Sequence, residues 1–352
     1  MKAKVVIISL RFNPAFTQHL IAYAKAAREL GHEPEFLLDP TYRDFPELNL
    51  ARSHYESVTN TPAGAWSYAI FLNPSLENEK LAITLKQQGA KISYLYHEPW
   101  QMSLHYLWSE GLVGTLKAIM AHHVTIPALK LADTVVVPSR YGLQKYRQSD
   151  ARYNANGIYM PLLYDDEAHS AIPESLTEKR YFGYIGSLCR SHGFDQYLSF
   201  VRYALQRDLK ISFLIASRNP LPAGTASDPL FSQNPDRVKI HCGKPLGNEI
   251  NRFYAESICV WNLYRRSTQS GVLPKAFMFG TPVIAENIGS FPEFIQDGLN
   301  GRFASARDHQ GIWTAFEDIR SNIAAYAANS RRTFLETFYY RARLEDLRHL
   351  LT

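Results

Sequence analysis

The sequence predicts two α/β domains in tandem, each a parallel sheet covered by helices. Three observations carry this expectation. Short apolar runs alternate with longer helical patterns from Val5 to Arg147, and that alternation calls for a parallel sheet buried on both faces. The pattern breaks in an irregular stretch, Tyr153–Ile172, and restarts at Arg180. The 352 residues also exceed one compact core and suit two domains of ordinary size.

Composition narrows the classes. With 46% hydrophobic and 20% charged residues the chain is globular rather than disordered. A formal net charge of +5 suits a phosphate-bearing ligand or an anionic membrane surface. No Lys/Arg run stands out, so nucleic acid is not expected as a partner. Cys189, Cys242 and Cys259 are odd in number and widely spaced, which points to a reducing, cytoplasmic compartment. The run Lys2–Leu10 is too short for a signal sequence and meets Arg11-Phe12-Asn13-Pro14 at once, so it reads as a first strand. No stretch reaches the ~20 apolar residues of a membrane span.

In chain order, Val5–Leu10 is the first strand. Pro14 opens a helix that runs to about Leu30 with Ala, Leu, Ile and Tyr on one face, and Gly31 ends it. Pro34–Leu38 and Ser67–Leu72 are strands, Glu77–Gln88 a helix, and Lys91–Tyr96 a strand. A long helical stretch leads to the strand Ala132–Pro138 and the helix Arg140–Arg147. Ligands in such folds sit at the carboxyl ends of strands. Arg11–Phe16, Asn73–Ser75, His97–Trp100 and Ser139-Arg140 therefore share one rim. Beyond the linker come the strand Arg180–Ile185, the loop Gly186–Gly193 and the helix Phe194–Gln206. Ile211–Ala216, Val238–His241 and Ile258–Leu263 are further strands, with a loop rich in Pro, Ser, Gly and Asn at 217–235 and a helix at Asn248–Ala255. Phe291–Asp297 is a short helix, and His309–Asn329 and Arg332–Leu351 are the last two.

The stretch Ser267–Ile284 organises the second half. It reads as a polar loop, a short helix, Gly-Thr-Pro and a buried strand. Thr268 or Ser270 caps the helix. Val272, Leu273, Ala276 and Phe277 give it an apolar face. Gly271 admits a ligand close to the backbone, and the free N–H groups of the first turn favour an anion.

The order strand–Gly186-Ser187-Leu188, then His192-Gly193-Phe194-Asp195, Gly243-Lys244-Pro245, Ser270–Ala285 and Gly289-Ser290-Phe291-Pro292-Glu293 resembles the carboxyl-terminal half of retaining GT-B glycosyltransferases of the "group 1" type. Gly31-His32-Glu33 and Ala132–Ser139 are similar to the acceptor-side domain, so the resemblance spans nearly the whole chain. It implies two Rossmann-like domains facing across a cleft, with the C-terminal helix crossing back to the first. Residues 1–165 plus 332–352 would form the acceptor-side domain and 173–331 the nucleotide-sugar domain. The implied reaction moves a sugar from a nucleotide-sugar donor to a glycan or lipid-linked acceptor with retention. It uses no metal and no cofactor beyond the donor, in polysaccharide or glycoconjugate assembly. A nucleotide-binding but inactive subunit and a sugar-nucleotide epimerase share the framework.

Onto this chain the resemblance carries donor contacts at Gly186, Ser187, Arg190, His192, Thr268, Gln269, Ser270, Gly271 and Val272, and catalytic positions at His97 and Lys275. Three positions depart from the family's pattern. Ser187 stands where an Arg is usual and His192 where a Lys is usual, and Lys275 replaces the second of two Glu separated by seven residues. The first Glu falls near Ser267 or Thr268. Arg190 lies between Ser187 and His192 and can supply the missing charge. His97 ends a strand on the ligand rim. His122-His123 lack a carboxylate at ligand spacing and read as ordinary helix residues. Leu104, Leu107, Trp108, Leu112, Leu116, Ile119 and Met120, with Lys117 and Lys130, allow either a helix packed on the sheet or a surface touching a bilayer. The second option would place the protein at the inner face of the membrane.

Overall fold

The computed structural model describes residues 4–45, 48, 53–54, 66–99, 104–168, 178–225, 227–243 and 249–351. Trp100, Lys244-Pro245 and the Ile172 end of the linker, all singled out above, lie outside them. Contacts divide the chain into unit 1, Met1–Asp165 with Thr337–Thr352, and unit 2, Asp166–Glu336.

Unit 1 contains β1 (Lys4–Ser9), β2 (Glu33–Leu38), β3 (Ser53–His54), β4 (Tyr68–Phe71), β5 (Lys91–Leu95), β6 (Thr134–Val137) and β7 (Gly157–Tyr159). They form one parallel sheet in the order β3-β2-β1-β4-β5-β6-β7. Side chains alternate across it as strand geometry requires. Val5 and Ile7 pack into a core with Leu20, Tyr23, Phe36 and Ile70. Val6 and Ile8 pack on the other face with Leu81, Leu85, Ile92 and Leu129. Both faces are dry, which is why the strands read as unbroken apolar runs.

Unit 2 repeats the plan with β8 (Tyr181–Ile185), β9 (Ser212–Ser217), β10 (Val238–Cys242), β11 (Ser257–Asn262), β12 (Val283–Ala285) and β13 (Gly301–Phe303). Its parallel order is β10-β9-β8-β11-β12-β13.

Three details differ from the sequence reading. The stretch taken as linker carries the edge strand β7 and then a buried run, Met160, Leu162, Leu163 and Tyr164, so most of it belongs to unit 1. The short edge strands β3, β7 and β13 carry too few apolar residues to show a pattern. The last helix is not continuous. Ile323–Thr333 gives way to a wide turn over Phe334–Phe338 and then to the short helix Leu344–Leu350. Arg331 pairs with both carboxylate oxygens of Asp166 and donates to the Met278 carbonyl (2.8 Å), fixing Ile323–Thr333 in unit 2. The chain then returns to unit 1. Tyr164 N–H donates to the Phe338 carbonyl (2.9 Å), Tyr340 N–H donates to the Tyr164 carbonyl (3.0 Å), and Tyr340, Leu347 and Leu350 join the core.

One buried cation bears on pH dependence. Lys179 Nζ donates to the Ala255 and Ser257 carbonyls (both 3.1 Å) and to Thr281 Oγ1 (2.8 Å), tying the start of β8 to β11 and to the turn before β12. Burial pulls its pKa from 10.5 down to about 7. Between these values the unfolded chain holds a proton that the folded chain has released. Stability is therefore expected to rise as pH increases from about 7 towards 10.5. Urea midpoints of Lys179→Met and the parent, compared at neutral and at about pH 9, test this. The variant should lose most of the rise, and equal rises in both would refute it.

Candidate functional site

The chain leaves β8 towards β9 and β10 on one side and returns to β11 on the other. Adjacent strands whose connections diverge leave a crevice at their carboxyl ends, where open α/β sheets bind ligands. In unit 2 the loops 186–193, after β8, and 263–271, after β11, meet at this switch point.

The contact depends on glycine. Gly193 has φ +70°, and a Cβ there would lie 2.5 Å from the Leu263 carbonyl oxygen. Only a residue without a side chain lets the first loop lie on the second. Gly186 has φ +136°, and its missing Cβ would sit 3.5 Å from Val272 Cγ2. Arg265 N–H donates to the Ser191 carbonyl (2.8 Å). The Arg265 guanidinium donates to the Arg190 carbonyl and grips Asp195 through two bonds of 2.8 and 2.7 Å. Burial opposes ionisation of Asp195, but Arg265 outweighs it and holds the carboxyl below its ordinary range. Trp261 Nε1 donates to the His192 carbonyl (3.1 Å), and the His192 ring stacks on Tyr264 with centroids 4.3 Å apart. Ser187 and Arg190 are exposed, and the Ser187 carbonyl accepts from Tyr184 Oη (2.6 Å).

In the second loop Ser267 and Thr268 are buried, and Ser267 Oγ lies 3.3 Å from Ser290 Oγ. Of the two capping candidates, Ser270 makes the bond: its Oγ accepts from Leu273 N–H at 3.4 Å, with Gly271 at the N-cap of the helix Val272–Met278. Gly280 ends that helix at φ +59°. The side-chain oxygens of Asn262 and Gln269 are buried and have no hydrogen-bond partner among the described residues. Buried amides are normally satisfied, so these two are suited to a ligand's donors.

The structure thus brings Gly186, Ser187, Arg190, His192, Thr268, Gln269, Ser270, Gly271 and Val272 into two adjoining loops. Lys275, which the resemblance carries over as a catalytic position, is buried and paired. Its ammonium pairs with Glu167, whose Oε2 also accepts from Asn251 Nδ2 (2.9 Å), and it lies 5.6 Å from the Phe279 ring centre. Glu167 thus sets a carboxylate against Lys275 on this helix.

In unit 1, His97 lies just beyond β5, beside the loops after β1 and β4. Asn73 Nδ2 donates to the Arg11 carbonyl (2.6 Å), joining those two loops. The His97 ring stands edge-on to Phe16 (4.6 Å) and 5.9 Å from the His19 ring. Burial, then His19, pushes His97 down to about 3 against the opposing Leu72 carbonyl. The imidazole is neutral at ordinary pH. Its Nε2 is buried and has no partner among the described residues. A buried, unpartnered ring nitrogen is suited to a hydrogen bond from or to a ligand hydroxyl. His19 escaped the sequence reading because it sits inside an apolar helix face. Burial lowers it to about 4, and its Nδ1 donates to the Leu163 carbonyl (2.8 Å).

Comparison with known proteins adds to this geometry. Residues 179–322 match the family model "Glycosyl transferases group 1". No curated protein matches the chain. Among solved structures, HepE from Anabaena in complex with UDP is 14% identical, covers 100% of this chain and 99% of its own, and superposes with a TM-score of 0.69. Sucrose-phosphate synthase from Thermosynechococcus elongatus is 14% identical over 99% of this chain and 98% of its own, with a TM-score of 0.70. The catalytic domain of starch synthase IV from Arabidopsis thaliana, bound to ADP and acarbose, is 13% identical over 100% and 99%, with a TM-score of 0.67. The fold is of the GT-B type across the whole chain.

Proposed function

We propose that this chain is a GT-B glycosyltransferase that binds a nucleotide-sugar donor through unit 2 and transfers the sugar to an acceptor hydroxyl with retention. The observation that carries the reading is the pair of glycine-dependent loops joined at the switch point of unit 2. Their backbone N–H groups, with Arg190, would hold the diphosphate. The amides of Asn262 and Gln269 would accept from donor hydroxyls or N–H groups. His97, neutral and with a buried Nε2 open to a hydroxyl, would help to orient the sugar. In the transfer step the bond from the anomeric carbon to the diphosphate oxygen breaks. The acceptor oxygen bonds to the same face of that carbon, and the acceptor proton passes to the departing diphosphate. The protein's part is positioning and stabilisation of the leaving charge, with no step assigned to a metal. The relatives described with UDP or ADP make a nucleoside diphosphate the first ligand to test.

Thermal unfolding with UDP, GDP, ADP and TDP is the direct test. A nucleotide present at about a hundred times its dissociation constant adds about 2.7 kcal/mol of stability. One nucleotide should shift the transition, and Arg190→Ala should weaken its binding by roughly tenfold. Transfer of label from the matching nucleotide sugar to an acceptor then establishes the enzyme. Binding without transfer to any acceptor would favour the second reading, an inactive nucleotide-binding subunit, which the pairing of Lys275 with Glu167 independently motivates. Interconversion of the free nucleotide sugar would indicate an epimerase.

A further inference from the structure

The helix Leu104–Leu131 turns an apolar face outward. Leu112, Val113, Leu116 and Met120 are 73%, 67%, 61% and 67% exposed. At 100° per residue these four lie within an arc of about 100°. The opposite arc carries His122, Thr125, Ala128 and Leu129, all buried. Leu129 and Ala128 belong to the core under the sheet, and the His122 ring is 3.1 Å from Tyr96 Oη, which also donates to Asp150 (3.1 Å). The usual polarity of a surface helix is therefore inverted over its first half and normal over its second.

Against the expectation that no stretch reaches the length of a membrane span, the segment Gly111–Leu131 is long and apolar enough to cross a bilayer. Its second half is packed into unit 1, so it cannot do so as folded. It can instead lie in the plane of an interface, with the Leu112–Met120 half inserted. The kink at Gly111, φ +72° and ψ 178°, sets off this half from the turns before it.

Charge selects the occupant. From Gly111 to Leu131 the sequence has Lys117 and Lys130 and no Asp or Glu. Lys117 borders the apolar arc, and His123 and Lys130 continue it, all three exposed. Lys130 and Arg152 converge on the Tyr153 ring at 5.8 and 4.8 Å. A second copy related by a twofold axis would set these cations against their own images. An anionic lipid surface pairs with them while accepting the apolar side chains, and the lysine stems reach up to the headgroups.

We propose that this helix is a membrane-docking element that seats unit 1 on anionic bilayers through Leu112, Val113, Leu116 and Met120, with Lys117 and Lys130 at headgroup level. The proposal does not depend on the transferase reading, because it concerns a face of unit 1 remote in sequence from both loops of unit 2.

The test is co-sedimentation of the full chain with vesicles of phosphatidylcholine alone and of phosphatidylcholine mixed with phosphatidylglycerol. The mixed vesicles should capture the chain and the neutral ones should capture much less, with capture weakening as salt is added. Leu116→Glu/Met120→Glu should reduce capture by more than about tenfold while its unfolding transition stays that of the parent, since both side chains are exposed. Lys117→Gln/Lys130→Gln should remove the preference for anionic vesicles. Capture unchanged in Leu116→Glu/Met120→Glu would overturn the proposal. So would absence of capture from parent and variant alike, or a dimer in solution that this double variant disperses.

Discussion

Gly289→Ala is expected to collapse the second loop of unit 2 and to abolish any nucleotide response. Gly289 has φ +58°, and a Cβ there would fall 1.8 Å from the Ser267 carbonyl oxygen. That oxygen accepts from Ser290 N–H (3.1 Å). Neither neighbour is a flexible side-chain tip, so backbone must move, and what moves is the start of the Ser267–Gly271 segment. The left-handed conformation alone costs an alanine about 1–2 kcal/mol. The clash adds a strain that brings the total to roughly 3 kcal/mol or more. Gly298→Ala is the control. Gly298 has φ +79° and nothing within 4 Å of its Cβ position, so it should show the conformational cost alone. Urea midpoints separate the two variants, and equal losses would show that the Ser267 contact is not built as described.

The glycines of unit 2 show what is and is not legible in the sequence. Gly193 and Gly280 could be read as special, because each sits where a helix begins or ends and the chain needs a positive φ. Gly289 gives no local sign of its partner, which lies a helix and a strand away at Ser267. Strand cores were legible because both faces of each sheet are dry, leaving unbroken runs such as Val5–Ile8. The short edge strands β3, β7 and β13 were not, because pairing on one side asks little of their side chains.

Charge was the least legible part of the candidate site. The sequence puts forward Arg190 and Lys275 as the cations of the site and passes over Arg265. The structure commits Arg265 to Asp195 and the Arg190 carbonyl, where it braces the first loop. Arg265 holds the position of this loop, and His192 lies flat against Tyr264. Asp195 carries no local sign of this role, because its partner is 70 positions away.

Lys275→Met is expected to destabilise unit 2 by about 2–3 kcal/mol, because it leaves the Glu167 carboxylate largely enclosed with Asn251 as its remaining described partner. The lysine side chain is 10% exposed and that of Glu167 22%, so water screens the orphaned carboxylate only in part. Glu167→Gln should cost less, since its amide still accepts from Asn251, although the ammonium is then left in a mostly buried position. The double variant should recover much of the loss from Lys275→Met, because two neutral side chains of similar volume replace a pair whose desolvation cost offsets its attraction. Strict additivity of the two single losses would show that the ion pair contributes no coupling. Nucleotide binding reads the other role. If Lys275 also meets the diphosphate, Glu167→Gln should tighten nucleotide binding by releasing a competitor, and Lys275→Met should weaken it at equal folded fraction. If neither variant changes the affinity, Lys275 is a strut of the Val272–Met278 helix.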